Sequence, residues 1–347
     1  LQVDLVTEIP SIGEPREPEP VRERLQQIAA LTKARLATLV VLTTVVGFLM
    51  ATTGTVAWAT LLSTALGTGL AALGANGFNQ YLERSRDALM ERTRNRPLPS
   101  GTMAPWEALA ISGAFSVTGI AALAWTANLL TAGLALLIHL LYLGVYTPLK
   151  LRSPVNTLVG GVCGAIPPVM GWTAVRGSIG PGAWILFLIL FIWQMPHFLS
   201  LAWLYREDYA RGGYRMLPVI DRSGTLTCKL VVLHSFALIP LGMAAALAGI
   251  AGWAFLLGAI PLGLVLLVLA FRLHEDRNDL NARRVFFASL VYLPLLLGLM
   301  VADRGPAYTP PNGSLLSSFP TPGGAGAPAG AFPGEAGGPT PRALETP

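Results

Sequence analysis

Along this chain, apolar residues come in blocks separated by short polar stretches. Nine such blocks lie near residues 36–53, 58–78, 107–126, 128–146, 155–173, 183–203, 230–250, 252–271 and 285–302. A helix needs about 20 predominantly apolar residues to cross a bilayer, and these blocks meet that length. Inside lipid, backbone polar groups must be satisfied by the chain itself, which leaves helices or closed barrels. The blocks are continuous and do not alternate with period two, so they predict helices. The expected fold is all-α, a polytopic membrane bundle of about nine transmembrane helices.

The polar stretches are not alike. Those after the second, fourth, sixth and eighth blocks (79–106, 147–154, 204–229 and 272–284) are basic. The intervening links are short and almost uncharged. Sixteen of the 24 Lys and Arg residues fall in those four stretches, and five more precede the first block. Short cytoplasmic loops carry the excess of Lys and Arg, so the amino terminus and the four basic loops are expected inside and the carboxyl tail outside.

Composition sharpens this picture. Charged residues make up 12% and apolar residues 53% of the 347, with mean hydropathy +0.56; a soluble domain usually carries about 25% charged residues. The net charge of +5 belongs to the cytoplasmic side, where it suits anionic lipid headgroups or a phosphorylated substrate. No nucleic-acid module is visible. Cys163 and Cys228 stand too far apart for a metal or redox motif and read as packing residues. The chain divides into a polar cytoplasmic segment 1–30, a membrane domain 31–303, and a Gly/Pro-rich tail 304–347 expected to be disordered. The amino-terminal segment has neither signal-peptide nor transit-peptide character, so the expected location is a bacterial or archaeal cell membrane.

Candidate chemistry starts at the second block's exit, NQYLERSRDALMERTRNRPLPSG, residues 79–101. The helix is expected to run on toward Pro97, where a proline makes continuation unfavourable. Asn79, Glu83 and Asp87 recur every four residues and share one helical face, and Glu91 would extend the row. Like carboxylates at this spacing repel, and a divalent cation would offset that. Mg²⁺ takes oxygen ligands, typically one or two carboxylates, and bridges to substrate phosphates. Arg92, Arg94 and Arg96 follow directly, and a guanidinium grips phosphate oxygens with paired hydrogen bonds. A charged loop pairing with itself is the alternative. Asn79 and Glu83 lie where the helix is still leaving lipid, a depth at which polar groups are usually functional.

This segment resembles the first signature of the UbiA prenyltransferase superfamily, in the form carried by the protohaem IX farnesyltransferases. Three further stretches resemble that family in order: residues 146–172 (YTPLKLRSPVNTLVGGVCGAIPPVMGW), 193–219 (WQMPHFLSLAWLYREDYARGGYRMLPV) and 282–297 (ARRVFFASLVYLPLLL). Together they cover about residues 30–302. The resemblance implies transfer of a farnesyl group from farnesyl diphosphate to a vinyl group of haem b, giving haem O, with Mg²⁺ as cofactor. By position it implies Asn79, Glu83 and Asp87 as the first metal motif, with Glu83 standing where the superfamily more often has Asp. The second motif is reduced to Asp208, since Leu204 replaces its first acid, and Glu207 is a supporting candidate. Asp87, Asp208 and Lys150 are the implied catalytic residues; Arg92, Arg96 and Lys150 the diphosphate contacts. Membrane lipid and haem A synthase are the implied partners.

Histidine commonly ligates haem iron, but on chemistry alone His197, inside the sixth block, could equally be a histidine hydrogen-bonded within the bundle; the resemblance of Gln-Met-Pro-His-Phe to the haem-specific form of the family implies it as the haem-binding residue. Pro196 is expected to interrupt the helix there and open a niche. Tyr146, Trp193, Trp203 and Tyr205 are aromatic candidates for shielding a carbocation; membrane-interface anchoring is their default. Glycines 67, 69, 74, 77, 160, 161 and 164 suit close helix approach. Two rival readings remain at this stage. One is a superfamily enzyme with another acceptor, such as a hydroxybenzoate, a quinone precursor or a chlorophyllide. The other is a transporter, disfavoured because the acids gather at one mouth.

Overall fold

The computed structural model describes residues 20–304. Among these, nine helices are long and apolar enough to cross a membrane, in the order the hydropathy pattern predicts. A short helix, α1 (Val21–Leu31), precedes them. The nine are α2 (Ala34–Ala51), α3 (Trp58–Asp87), α4 (Pro105–Thr126), α5 (Leu129–Leu149), α6 (Asn156–Arg176), α7 (Pro181–Leu204), α10 (Thr225–Leu247), α11 (Trp253–Glu275) and α12 (Asp279–Ala302). Two short helices, α8 (Arg206–Arg211) and α9 (Leu217–Ile220), lie in the loop after α7. The expected tail from residue 305 and most of the expected amino-terminal segment lie outside the described residues.

Several helices outrun their apolar blocks at the polar end. Helix α12 begins six residues before its block, because Asn278 caps it: the Asn278 side chain accepts from the Asn281 N–H at 2.8 Å, satisfying a donor that helix geometry leaves unpaired. Asn128 caps α5 in the same way through the Thr131 N–H.

Small residues set the packing. Helix α3 lies against α4, and α2 against α6. At Gly74 an added Cβ would sit 2.6 Å from the Ser116 N and 2.7 Å from the Ser112 O of α4. Only glycine lets these backbones meet so closely. The largest buried apolar cluster joins α7 to α10, α11 and α12, and a smaller one joins α3 to α4, α5 and α6.

Two expectations about helix continuity are corrected. Helix α7 passes through Pro196 unbroken. Proline removes the N–H that would bond the Ile192 carbonyl, yet the helix runs on, with the Ser200 hydroxyl donating back to the Pro196 and His197 carbonyls at 2.7 and 3.0 Å one turn later. Conversely, α3 ends at Asp87, well before Pro97. In a continuing helix the Glu91 N–H would bond the Asp87 carbonyl. Instead it donates to Asp208 Oδ1 at 2.9 Å, and the Thr93 hydroxyl takes the Asp87 carbonyl at 2.8 Å. Glu91 therefore leaves the carboxylate row, and its side chain is mostly exposed.

The polar loops are linked at one end of the bundle. Asp208 binds the turn after α3, the Arg215 N–H donates to the Lys150 carbonyl at 2.7 Å, and Arg206 pairs with Asp279 at 2.7 Å.

Candidate active site

The last two turns of α3 place Asn79, Glu83 and Asp87 one above the next, all buried at 0, 6 and 1% exposure. Buried carboxylates require partners, and each has a cation from a different element. Lys150 Nζ donates to Glu83 Oε1 at 2.7 Å, and Arg96 Nη1 to Asp87 Oδ2 at 2.7 Å. Lys33 Nζ donates to Asn79 Oδ1 at 2.8 Å. Lys33 sits between α1 and α2 with φ of 49°, left-handed backbone, which directs the chain back to the site.

The two lysines differ electrostatically. Burial depresses Lys33, with Arg96 adding repulsion, and its ammonium is lowered to about 7. Burial acts the same way on Lys150, but the Glu83 carboxylate outweighs it and holds Lys150 well above the ordinary lysine value. Lys150 is thus a fixed positive charge.

Lys150 is aimed by an irregular stretch of α5. Residues Leu140–Tyr146 take π-helical geometry, in which the Thr147 hydroxyl reaches back to the Tyr142 carbonyl at 2.7 Å. Such wide turns often accompany functional sites. Here the wide turn brings Thr147 Oγ1 to the Asn79 amide at 3.0 Å and the Tyr142 hydroxyl to Asn79 Oδ1 at 3.3 Å. Lys150 lies 4.5 Å over the Tyr146 ring.

Asp208, on α8, stands beside this group. Its Oδ1 accepts from the Glu91 N–H and from Arg211 Nη2 at 2.8 Å, and its Oδ2 from the Arg92 N–H at 3.3 Å. Partial burial opposes ionisation, but Arg211 and the two backbone donors prevail and hold the carboxyl below its usual value. Arg92 extends over the Tyr205 and Tyr209 rings at 4.9 and 5.7 Å.

One cavity of about 380 Å³ takes in most of these side chains. Lys33, Glu83, Asp87, Arg92, Arg96 and Lys150 line its polar end, and its apolar walls come from α2, α3, α5, α6 and α7. His197 lines the same cavity, stacked between Trp193 and Phe286 with centroids 5.1 and 4.9 Å away. Of the residues singled out from sequence, Glu83, Asp87, Arg92, Arg96, Lys150 and His197 share this wall. Asn79 lies behind it, and Asp208 is turned into the adjoining loop. Tyr146 and Trp193 face the cavity, whereas Trp203 and Tyr205 are engaged by Asp279 and Arg92.

Sequence reading alone missed Lys33, Tyr142 and Tyr214. Lys33 counted only as a topogenic charge, and its contact with Asn79 depends on the bend before α2. Tyr214 lines the cavity, and its buried hydroxyl has no hydrogen-bond partner among the described residues. Burial and the nearby Glu83 carboxylate push its pKa above the ordinary tyrosine value, so it stays protonated as a donor.

Comparison with known proteins places the chain in a family. The UbiA prenyltransferase family matches residues 40–291. A protohaem IX farnesyltransferase of Solibacter usitatus is 42% identical over 283 residues, covering 79% of this chain and 97% of that protein. The mitochondrial protohaem IX farnesyltransferase of Homo sapiens is 45% identical over 281 residues, covering 81% of this chain and 62% of its own length. In fold, the chain is similar to a digeranylgeranylglyceryl phosphate synthase structure (TM-score 0.67, 18% identity, 81% and 98% covered). It is also similar to an Archaeoglobus fulgidus UbiA homologue bound to DMAPP and Mg²⁺ (TM-score 0.61, 16% identity, 79% and 99% covered). This chain belongs to the UbiA prenyltransferase family, and within it to the protohaem IX farnesyltransferases.

Proposed function

We propose that this chain transfers the farnesyl group of farnesyl diphosphate to a vinyl group of haem b, producing haem O. A single observation carries the reading. One cavity has carboxylates and cations at one end and a histidine-bearing, largely apolar wall elsewhere, so it can receive a diphosphate head and an apolar acceptor together.

The residues fit Mg²⁺. Glu83 and Asp87, which line the cavity, would offer carboxylate oxygens, each already paired with a cation, and Asn79 behind them would add an amide oxygen. Among the described residues no group of three or more His, Cys, Asp or Glu is gathered. Mg²⁺ uses one or two carboxylates and completes its shell with water and phosphate oxygens. Asp208 is the further proposed ligand, since its Oδ2 carries only the 3.3 Å bond and keeps a free lone pair. When bound, Mg²⁺ stabilises negative charge on the departing diphosphate.

The chain's own groups do the rest. Lys150, Arg92 and Arg96 hold the diphosphate oxygens, each already restrained by a carboxylate or an aromatic ring. Preorganised charge of this kind lowers the barrier without reorganisation. The C1–O bond breaks and its electron pair leaves on the diphosphate. The vinyl π pair then forms the new bond to C1, and water adds to the resulting cation, losing a proton to leave a hydroxyl. Tyr146 and Trp193 line the cavity, and aromatic rings attract cations. The apolar walls keep water from the allylic cation before the acceptor reaches it.

The same reading places the amino terminus and the polar loops on the cytoplasmic face of the cell membrane, in contact with lipid, with haem A synthase as the consumer of the product. The test is haem analysis of membranes expressing wild type and Asp87→Asn. Losing one electrostatic partner of developing charge costs roughly 10²–10³ in rate, so haem O is expected to fall by that order. Equal haem O from both proteins would remove Asp87 from the mechanism.

A further inference from the structure

Two histidines line the cavity, and their hydrogen bonds separate them. His139 is used on both sides: Nδ1 meets the Ala135 carbonyl at 2.9 Å and Nε2 meets Ser116 Oγ at 3.0 Å. His197 is used on one side only. Its Nδ1 meets Ser289 Oγ at 2.9 Å, and its Nε2 has no partner among the described residues and is not sealed from the cavity.

The proton on the His197 ring follows from counting donors at Ser289. A serine hydroxyl has one proton and two lone pairs. Ser289 spends its proton on the Phe286 carbonyl at 2.6 Å, so toward His197 it can only accept. The Nδ1 atom must therefore carry the ring proton, and Nε2 is left with an unprotonated lone pair. Ser289 is fully buried, which keeps water from offering another partner. Its carbonyl also accepts from Trp193 Nε1 at 2.8 Å. One residue of α12 thus fixes both His197 and the indole stacked against it.

We infer that Ser289 is a positioning residue that locks His197 in the Nδ1–H tautomer and presents Nε2 as the axial ligand of the haem iron of the acceptor. The inference rests on the farnesyl-transfer reading and adds to it a specific atom and the residue that prepares it. Groups that orient a ligating histidine commonly act through its non-ligating nitrogen, and losing them typically costs 10–100-fold in affinity. The sandwich of Trp193 and Phe286 prevents the ring from turning, so the lone pair has one direction.

The test uses the purified full chain with protohaem and farnesyl diphosphate, comparing wild type, Ser289→Ala and Ser289→Thr. Wild type is expected to give an imidazole-ligated haem spectrum. In Ser289→Ala that signature should weaken and KM for haem rise about tenfold, with KM for farnesyl diphosphate unchanged. Ser289→Thr, which keeps the hydroxyl, should restore both. An Ala variant with an unaltered spectrum and haem KM overturns the inference. So does an Ala variant that loses both substrates equally, because that marks a merely structural residue. Haem O formation by wild type without imidazole ligation sinks the Ser289 proposal while the transfer reading stands. No haem O from wild type sinks the transfer reading itself.

Discussion

At Tyr214 the site holds a buried hydroxyl that bonds to nothing among the described residues. A buried donor left unpaired costs about 1–3 kcal/mol, and a chain that keeps one beside Lys150 and Glu83 gains from it elsewhere. Tyr214 lines the cavity, and a small turn of its ring would hand that proton to a diphosphate oxygen at the polar end. Tyr214→Phe removes the hydroxyl and little else. A hydrogen bond to a charged group is worth about 1.5–3 kcal/mol, so KM for farnesyl diphosphate is expected to rise at least tenfold, with KM for haem unchanged. Steady-state kinetics with each substrate varied in turn would check it, and an unchanged KM for the diphosphate would remove Tyr214 from the site. Tyr214 also marks the limit of sequence reading at this scale. Glu83 and Asp87 were legible because their spacing on one helix fixes their shared face. Lys33 and Tyr214 were not, because a bend and a separate loop bring them in, and neither leaves a local pattern. His197 was legible as a candidate, while its free nitrogen depends on Ser289, 92 residues away.

Among the elements, hydropathy located the nine spans found among the described residues and misjudged how some of them behave. It expected α7 to break at Pro196 and α3 to continue toward Pro97; α7 runs on unbroken, and α3 is ended by the Asp208 carboxylate, remote in sequence, which takes the Glu91 N–H. The π-helical stretch of α5 was equally invisible, since Leu-Leu-Tyr-Leu-Gly-Val-Tyr reads as ordinary apolar helix. Close packing was more legible. Gly74 faces the backbone of α4 at a distance no side chain fits, whereas at Gly133 on α5 an added Cβ would have nothing within 4 Å. Overpacking a tight contact costs typically 1–3 kcal/mol, while an exposed helical Gly→Ala gains up to about 1 kcal/mol from propensity. Gly74→Ala is therefore expected to lower the thermal unfolding midpoint in detergent, and Gly133→Ala to leave it equal or slightly raised. Equal losses from both would show that packing at Gly74 is not the governing contact.

Across the whole molecule, charge distribution and catalytic geometry point the same way. The polar stretches that hold Asp87, Arg92, Lys150 and Asp208 are among the four that carry most of the Lys and Arg. The positive-inside rule therefore orients the chemistry as well as the chain. On the proposed orientation, a diphosphate arriving from the cytoplasm would meet the cations directly, and its prenyl chain would enter between helices from the bilayer. That orientation is measurable with two single cysteines. Ser100 lies exposed in the loop between α3 and α4, and Thr126 is exposed at the far end of α4. The native Cys163 and Cys228 are both buried, so they contribute little background. In intact cells a membrane-impermeant maleimide is expected to label Thr126→Cys and to spare Ser100→Cys until the membrane is opened. Neither position carries a group assigned to the reaction, so both variants should still make haem O, which shows that the labelled protein is folded. The reverse labelling pattern would put the polar end outside, and the substrate would then have to reach the site from the opposite face.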